Sequence, residues 1–475
     1  MSEVKTDAAF KVEENSIDPI PENQRHGHPG ELFKMWIGAN INYVVLLNGI
    51  VVVALGLSMW QALSAVIVGN LLGCTVLGLA SIMGPRTGTA GIVTSRIAFG
   101  QLGAYLPTII SVISVLGWFS INSVVATEAL MQASTTIFGF DASGSMLMWV
   151  CLAIVLALEI IIAIYGHATI MAAEKLIAFI LGALFLGLLF FIIPQIDFSV
   201  IGTSAETSGD FKTWIIAVGI IFAYPISWVN FASDYSRYYP RETDLKKVAL
   251  YSGGGQFVAL TFCEIIGVLF CCAIGGQNPA DPISALIGVL PGWYLIPFLL
   301  AVMIGSVATN VPNGYTAALN LVSLRLPLSR VKAVLVVAVF TLLFRIATLI
   351  FGEFFALYEQ WLSIITIWSC PWVAVIIVDF FLRKGNYKIS DIMTWKGGEY
   401  WYKNGVFWPG IISFVIGLVG AILFTDSTYI HGPIAVAMGV DIGFEVGFIV
   451  SGICYYILAK NNITFKRAKE MYPKN

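Results

Sequence analysis

The chain has 475 residues, of which 58% are hydrophobic and only 11% charged, with a net charge of −2 and a mean hydropathy of +0.85. A soluble domain carries roughly 25% charged residues, so the composition excludes a soluble enzyme and indicates an all-α polytopic membrane protein. No basic patch is present for a nucleic acid, which leaves the lipid bilayer and a small molecule as the expected partners.

The first 33 residues are polar and contain no apolar core of a signal peptide, so the first membrane helix is expected to direct insertion. Twelve apolar runs follow, each long enough to cross about 30 Å of hydrocarbon. They are predicted at 34–58, 60–84, 104–135, 146–166, 171–194, 212–234, 248–275, 293–324, 332–352, 357–383, 406–425 and 433–459. With the N-terminus inside, all of the 26 Lys and Arg except Lys212 and Arg345 fall in inner segments, which places both termini in the cytoplasm of a plasma-membrane protein. The expected units are an N-terminal tail 1–33, a first five-helix repeat 34–194, a second repeat 195–383, helices eleven and twelve within 384–459, and a C-terminal tail 460–475. Residues 384–404 are polar with two tryptophans and read as an interfacial segment. All seven cysteines lie in apolar segments without metal-ligand spacing, so they are expected to pack rather than ligate.

Two helices five apart are interrupted. Trp36-Ile-Gly-Ala-Asn-Ile-Asn42 puts two amides early in the first span, with Asn40 a candidate substrate contact. Phe222-Ala-Tyr-Pro-Ile-Ser-Trp-Val-Asn230 puts a proline, a serine and an amide inside the sixth. Breaks at corresponding positions of two five-helix halves point to a transporter built from inverted repeats.

The third span contains Trp118 and Asn122, which share a helix face and offer a flat apolar plate one turn from an amide. A planar heterocycle could stack on the indole while the amide reads its edge; the alternative is a core tryptophan and an interhelical amide bond. Tyr224 and Ser227 in the sixth span are candidates for the opposing wall. In the eighth span, Ala308-Thr-Asn-Val-Pro-Asn-Gly-Tyr315 sets Asn310 and Asn313 on neighbouring parts of one face. Two amides in hydrocarbon are costly unless they meet a partner, a cavity or a ligand. Pro312 in addition frees a carbonyl in the preceding turn.

Glu174 and Glu264 are the candidate proton-coupling acids, and Glu128 is a further intramembrane acid, each with a paired structural role as the alternative. Asp234 and Arg237 at the end of the sixth span are expected to pair with each other or with a neighbouring helix. The glycine-rich stretch 84–91 lacks the lysine and strand context of a phosphate loop and reads as a flexible connection.

Taken in order, Ile20-Pro-Glu-Asn-Gln-Arg25, Met35-Trp-Ile-Gly-Ala-Asn40, Gly117-Trp118 with Asn122, Tyr165-Gly-His with Glu174, Ala232-Ser-Asp-Tyr-Ser-Arg-Tyr-Tyr-Pro240 and Asn310-Val-Pro-Asn-Gly-Tyr315 resemble the nucleobase–cation symporter family 1, within it the purine–cytosine permease branch. The resemblance implies a LeuT-like fold of 5+5 inverted repeats plus two C-terminal helices. It implies a substrate held between helices one, three, six and eight, stacked on Trp118 and an aromatic near Tyr224, and bonded by Asn122 and Asn313, with Asn310 either behind them or an alternative contact. The function implied is import of cytosine or a purine by cation symport, with no cofactor and with the protein acting as a monomer. Related proteins carry allantoin, hydantoins, uracil, thiamine or pyridoxine, and these are the alternatives within the fold. A channel would need a repeated pore motif or charge ring, and a membrane receptor is the other reading outside the class. Sodium-coupled relatives carry hydroxyl residues five and six positions before the binding asparagine. Here those positions are Ala308 and Val307, so H⁺ is expected as the coupling ion, with Na⁺ as the alternative and Glu174 as the acid that the resemblance favours.

Overall fold

The computed structural model describes residues 16–139, 146–164, 167–196, 211–276, 283–326, 330–351, 354–427 and 429–462. The first span is two helices, α1 (Pro29–Asn40) and α2 (Tyr43–Ala54), bent by 66° at their junction. α1 starts on a reciprocal cap between His28 and Glu31, with Pro29 in its first turn. At the junction Asn42 is extended (φ −147°, ψ 166°), and its Oδ1 accepts the Val45 N–H at 3.1 Å, which restarts the helix.

α3 (Met59–Ser81) follows, then two short buried helices, α4 (Met83–Thr87) and α5 (Ser95–Phe99). The stretch 84–91 is therefore not a flexible connection. Arg25 Nη1 donates to the Pro85 carbonyl at 2.7 Å, and the Gly91 N–H donates to Asp234 Oδ1 at 2.8 Å. Gly88 turns the chain at φ +69°, where a side chain would be strained.

The first half continues with α6 (Tyr105–Phe138), α7 (Met146–Ile164) and α8 (His167–Ile192). The second half opens with α9 (Phe211–Ser227) and α10 (Ala232–Ser236), which form the second broken span. It continues with α11 (Leu245–Ala273), a short α12 (Ser284–Val289), α13 (Gly292–Ser323), α14 (Arg330–Phe351) and α15 (Phe354–Arg383). The four-residue α16 (Ile389–Ile392) lies in the polar segment after α15, and α17 (Trp408–Leu423) is the eleventh span.

The twelfth span is shorter than expected. Residues 433–459 divide into α18 (Pro433–Met438) and α19 (Gly443–Ala459), because Gly439 ends α18 in the left-handed conformation (φ +65°). Twelve helical spans are traced among the described residues, as the hydropathy pattern predicts, and no strand occurs among them.

The helices sort by packing. α1, α2, α3, α9 and α11 pack on one another, and α6, α7, α13 and α14 form a second group. Within the first group α2 and α11 meet backbone to backbone, with Gly49 against the Glu264 carbonyl and Gly267 against the Leu46 carbonyl. Close approach through small residues is how helices associate where lipid removes the hydrophobic drive. α15, α17 and α19 pack together at the side. There Arg383 Nε meets Asp379 at 3.0 Å, fully buried, while Tyr455 Oη donates to the same carboxylate at 2.6 Å.

The polar segment after α15 folds back over α5 and α6. Gln101 Nε2 donates to the Ile392 carbonyl at 2.8 Å, and the Arg325 guanidinium lies 4.0 Å above the Trp395 ring. Asp391 anchors it. Burial alone would push this carboxyl up, but Lys388 Nζ and the Glu399 N–H at 2.8 Å and Ser390 Oγ at 3.0 Å donate to it and hold it below the usual range. A carboxyl lowered on folding adds stability above about pH 4 that is lost as pH falls through its folded value. Asp391→Asn is therefore expected to melt below the wild type at pH 7, and the gap should close in acid. A gap unchanged between pH 7 and pH 3.5 in detergent melting curves would contradict this anchoring.

Candidate substrate site

The two broken spans lie side by side, with Trp36 of α1 set edge-on to Trp228 at 5.8 Å and to Tyr235 of α10 at 5.9 Å. Their loose ends need partners. Pro225 interrupts α9, and Ser227 Oγ answers by donating to the Tyr224 carbonyl at 2.6 Å. The hydroxyl of Ser227 is thus engaged by its own helix.

At the α1–α2 junction Asn42 does most of the stitching. Its Nδ2 reaches Thr309 Oγ1 of α13 at 3.2 Å, the Ala39 carbonyl at 3.4 Å and Tyr224 Oη at 3.5 Å. Thr309 Oγ1 in turn donates to the Gly305 carbonyl at 3.0 Å. One amide therefore ties the first, sixth and eighth spans together. Asn40 turns its Nδ2 back to the Trp36 carbonyl at 2.9 Å and keeps a buried Oδ1 that meets no hydrogen-bond partner.

Trp118 sits at this crossing. Its indole lies 5.1 Å from the Tyr224 ring, with the planes at 70°, and 6.1 Å from Tyr358 of α15. The two rings expected to face each other as parallel plates meet edge to face here. A base stacked on Trp118 therefore requires Tyr224 to move aside. Trp361 lies directly against Gly117, where any side chain would collide. The Trp118 Nε1–H is buried without a partner.

Asn122 donates its Nδ2 to the Trp118 carbonyl at 2.9 Å, which leaves Oδ1 buried and unmatched. Asn313 donates its Nδ2 to Asn310 Oδ1 at 3.0 Å, so its own Oδ1 is the atom left for a ligand. Each amide thus has one N–H held by the protein, which turns its Oδ1 into the acceptor left without a protein donor. A buried acceptor left unmatched costs about 1–3 kcal/mol, which a ligand donor would recover.

Asn310 is set behind this surface. Its Nδ2 reaches the Phe119 carbonyl at 2.7 Å, Glu159 Oε1 at 2.8 Å and Ser123 Oγ at 3.0 Å. Glu159, fully buried in α7, escapes the motif reading, although a lone acid in an apolar span was the available signal. Asn42 and Tyr358 were likewise passed over as site-forming groups.

Of the expected acids, Glu264 and Glu128 lie in other networks. Glu264 is buried on α11 and accepts from Asn48 at 3.1 Å and Asn70 at 2.5 Å, joining α2, α3 and α11. Tyr358 Oη extends this network by donating to Asn48 Oδ1 at 2.7 Å. Glu128 pairs with Arg345 at 3.1 Å, as its structural alternative requires. Glu174 falls within α8, but its side chain lies outside the described residues.

The end of the bundle that carries residues 16–28 is sealed below the site. Asp234 Oδ2 accepts from Thr316 Oγ1 at 2.6 Å, Arg237 Nη2 donates to Tyr315 Oη at 2.8 Å, and Arg237 Nη1 donates to the Ser16 carbonyl at 2.7 Å. At the opposite end a cavity of about 290 Å³ is lined by α9, α15, Thr425–Ser427 and Phe444 of α19. The arrangement combines an aromatic plate with buried amide oxygens that no protein donor meets, and side-chain hydrogen bonds close the end that carries residues 16–28.

Comparison with known proteins follows the same lines. The sequence model of a family of permeases for cytosine/purines, uracil, thiamine and allantoin matches residues 19–450. A putative purine-cytosine permease of Bacillus subtilis is 28% identical, over 97% of this chain and 98% of its own. A purine-cytosine permease of Saccharomyces cerevisiae is 25% identical, over 95% and 86% respectively. Among solved structures, a nucleobase-cation-symport-1 family transporter in a closed conformation with bromovinylhydantoin bound has a TM-score of 0.77 at 19% identity, covering 98% of this chain and 97% of that one. The same transporter facing inward gives 0.75 at 20% identity. The shared fold bears out the LeuT-like arrangement expected from the sequence. With the family match running over most of its length, this multi-pass membrane protein belongs to the family of permeases for cytosine/purines, uracil, thiamine and allantoin.

Proposed function

We propose that the protein imports a nucleobase, cytosine or a purine, across the plasma membrane by H⁺ symport, with both termini cytoplasmic. The observation that carries this reading is the Trp118 plate with Asn122 one turn along the same helix, and a second amide, Asn313 of α13, each with an Nδ2 N–H already bonded to protein. A base stacks on the indole, and its exocyclic amino group and ring N–H donate to the two free Oδ1 atoms. Asn40, with its own unmatched Oδ1, is a third acceptor at the junction, and Asn310 orients Asn313. Tyr224 swings from its edge-on position to cover the bound base, and Ser227 steadies the broken turn that lets it move. The two groups of helices then rock about the site, which opens the sealed end to the cytoplasm. In this reading the transporter acts as a monomer.

Proton rather than sodium coupling is favoured by the α1–α2 junction. A hard cation wants several oxygen ligands. Here the Ala39 carbonyl and Thr309 Oγ1 already face the Asn42 amide nitrogen, and the preceding positions in α13 are Ala308 and Val307. The same donor–acceptor logic ranks the substrates. Uracil carries a carbonyl where cytosine carries its amino group, and would set acceptor against acceptor. An unmatched buried polar group costs about 1–3 kcal/mol, or roughly 5- to 150-fold in affinity. Thermal stabilisation of the purified protein by a panel of bases, hydantoins and B vitamins tests this, since ligands that bind the folded state raise its melting point. Cytosine, adenine or guanine should stabilise at concentrations about 5- to 150-fold below uracil, with or without Na⁺. Stabilisation by a hydantoin or vitamin alone would discard the base.

A further inference from the structure

We infer that Glu159 is the proton-carrying site, and that it communicates with the substrate through Asn310 and Asn313. The inference rests on the nucleobase reading for its substrate, but the proton site itself stands on local geometry.

Glu159 is completely buried, and none of the described Lys, Arg or His side chains pairs with it. Its two oxygens are used differently. Oε1 accepts from Asn310 Nδ2 at 2.8 Å, and Oε2 lies 2.8 Å from Ser123 Oγ. Ser123 Oγ is also 2.9 Å from the Phe119 carbonyl. A hydroxyl has one hydrogen to give, so Ser123 can serve only one of these acceptors at a time.

That surplus defines a place for one proton. When Glu159 is charged, the Ser123 O–H turns to Oε2, and the Phe119 carbonyl keeps the hydrogen from Asn310 at 2.7 Å. When a proton sits on Oε2, the carboxyl O–H donates to Ser123 Oγ, and the Ser123 O–H turns to the Phe119 carbonyl. No heavy atom has to move between the two states. By contrast, both oxygens of Glu264 face amide N–H donors, from Asn48 and Asn70, with no hydroxyl alternative at either.

The link to the site is the Asn310 amide. Its nitrogen is committed to the Glu159 cluster, so its Oδ1 is turned to Asn313 Nδ2 and fixes which Asn313 atom meets the base. Removing the charge of Glu159 converts the Asn310 bond from charge-assisted to neutral, which alters the hold on that amide. Closing the site around a base excludes water, and a buried charge without a cation is costly. Base binding and proton binding therefore favour each other, as symport requires.

Among the described side chains, the other titratable groups on the helices packed against α7 have partners or positions away from Glu159. α6 carries Tyr105 and Glu128, and Glu128 pairs with Arg345 of α14. Lys332 of α14 is exposed, and α13 carries Tyr294, which donates to the Leu184 carbonyl at 2.5 Å, and Tyr315, which accepts from Arg237. Cys151 lies two turns earlier on α7 itself, and none of these is a hydrogen-bond partner of Glu159.

Glu159→Gln mimics the protonated state, because its carbonyl can accept from Asn310 and its amide can donate to Ser123. Two measurements on the full-length protein test the inference. Infrared titration of the protonated-carboxyl C=O band, with no base present, should lose one titrating group in E159Q and keep it in E264Q. Cytosine binding in weakly buffered detergent should take up about one proton per base in the wild type and none in E159Q. Cytosine affinity should fall up to tenfold per pH unit above the site's midpoint in the wild type and stay flat in E159Q. An unchanged infrared titration or unchanged proton uptake in E159Q overturns the inference. Failure of the wild type to bind any base would instead strike the nucleobase reading, and the infrared result would still decide the proton site. Should E159Q fail to fold, Ser123→Ala supplies the test. It removes the Oε2 partner and should shift the midpoint of the titrating carboxyl, and an unshifted midpoint overturns the inference equally.

Discussion

Replacing Trp118 with alanine is expected to abolish measurable binding of cytosine or a purine. Stacking on an aromatic ring contributes about 1–3 kcal/mol per base, and the indole is the plate on which the proposed base lies. The deletion also removes the ring that Tyr224 and Tyr358 pack against at 5.1 and 6.1 Å, so those two side chains lose their fixed positions. Removing a buried tryptophan typically costs about 3–5 kcal/mol of stability, and a loss of binding could then reflect a damaged fold. Trp118→Phe separates the two effects. It keeps a smaller plate and should bind about tenfold more weakly, within the stacking range, while melting near the wild type. Calorimetric titration of both variants with cytosine, beside their melting curves, checks the prediction. Wild-type affinity in the alanine variant would contradict a stacked base.

Asn310→Ala should be as damaging, for a different reason. Asn310 itself need not touch the base. Its amide nitrogen lies within hydrogen-bond distance of the Phe119 carbonyl, Glu159 Oε1 and Ser123 Oγ, and its oxygen holds Asn313. The variant leaves Glu159 Oε1 without its donor and frees the Asn313 amide to flip, so that donor and acceptor at the base edge become interchangeable. Each unsatisfied buried group costs about 1–3 kcal/mol, so a lower melting point should accompany at least a hundredfold loss of cytosine affinity. Selectivity should blur as well, with uracil and cytosine drawing level. A variant that keeps the preference for cytosine over uracil would show that Asn310 does not orient the reading group.

Much of this architecture is legible in the residues. Two asparagines three apart in an apolar span have few inexpensive roles, and Asn310 and Asn313 do form a hydrogen-bonded pair. The break at Ile41–Asn42 and the Pro225 interruption are visible because amides and proline disturb a helix by local chemistry. The apolar runs gave twelve spans, and twelve helical spans are traced among the described residues. What could not be read depends on contacts between residues far apart in the chain. Ser227 looked available for substrate, yet its hydroxyl bonds to the Tyr224 carbonyl. The stretch 84–91 looked flexible from its glycines, yet Arg25 and Asp234 pin it. Glu159 carries no local motif, and its partners on α6 and α13 are 36 and 151 residues away in sequence. Tyr224 was placed correctly beside Trp118, but the 70° angle between their rings is a property of packing and not of spacing.

The most direct test of proton-coupled nucleobase import is uptake of radiolabelled cytosine into liposomes containing the purified protein. The lumen would be made alkaline relative to the bath, with Na⁺ absent from both sides. Cytosine should accumulate above its external concentration, the excess should vanish when a protonophore is added, and an inward Na⁺ gradient at equal pH should produce none. Accumulation driven by Na⁺ alone would contradict proton coupling, and no accumulation of cytosine, adenine, guanine or hypoxanthine under either gradient would contradict the nucleobase as cargo.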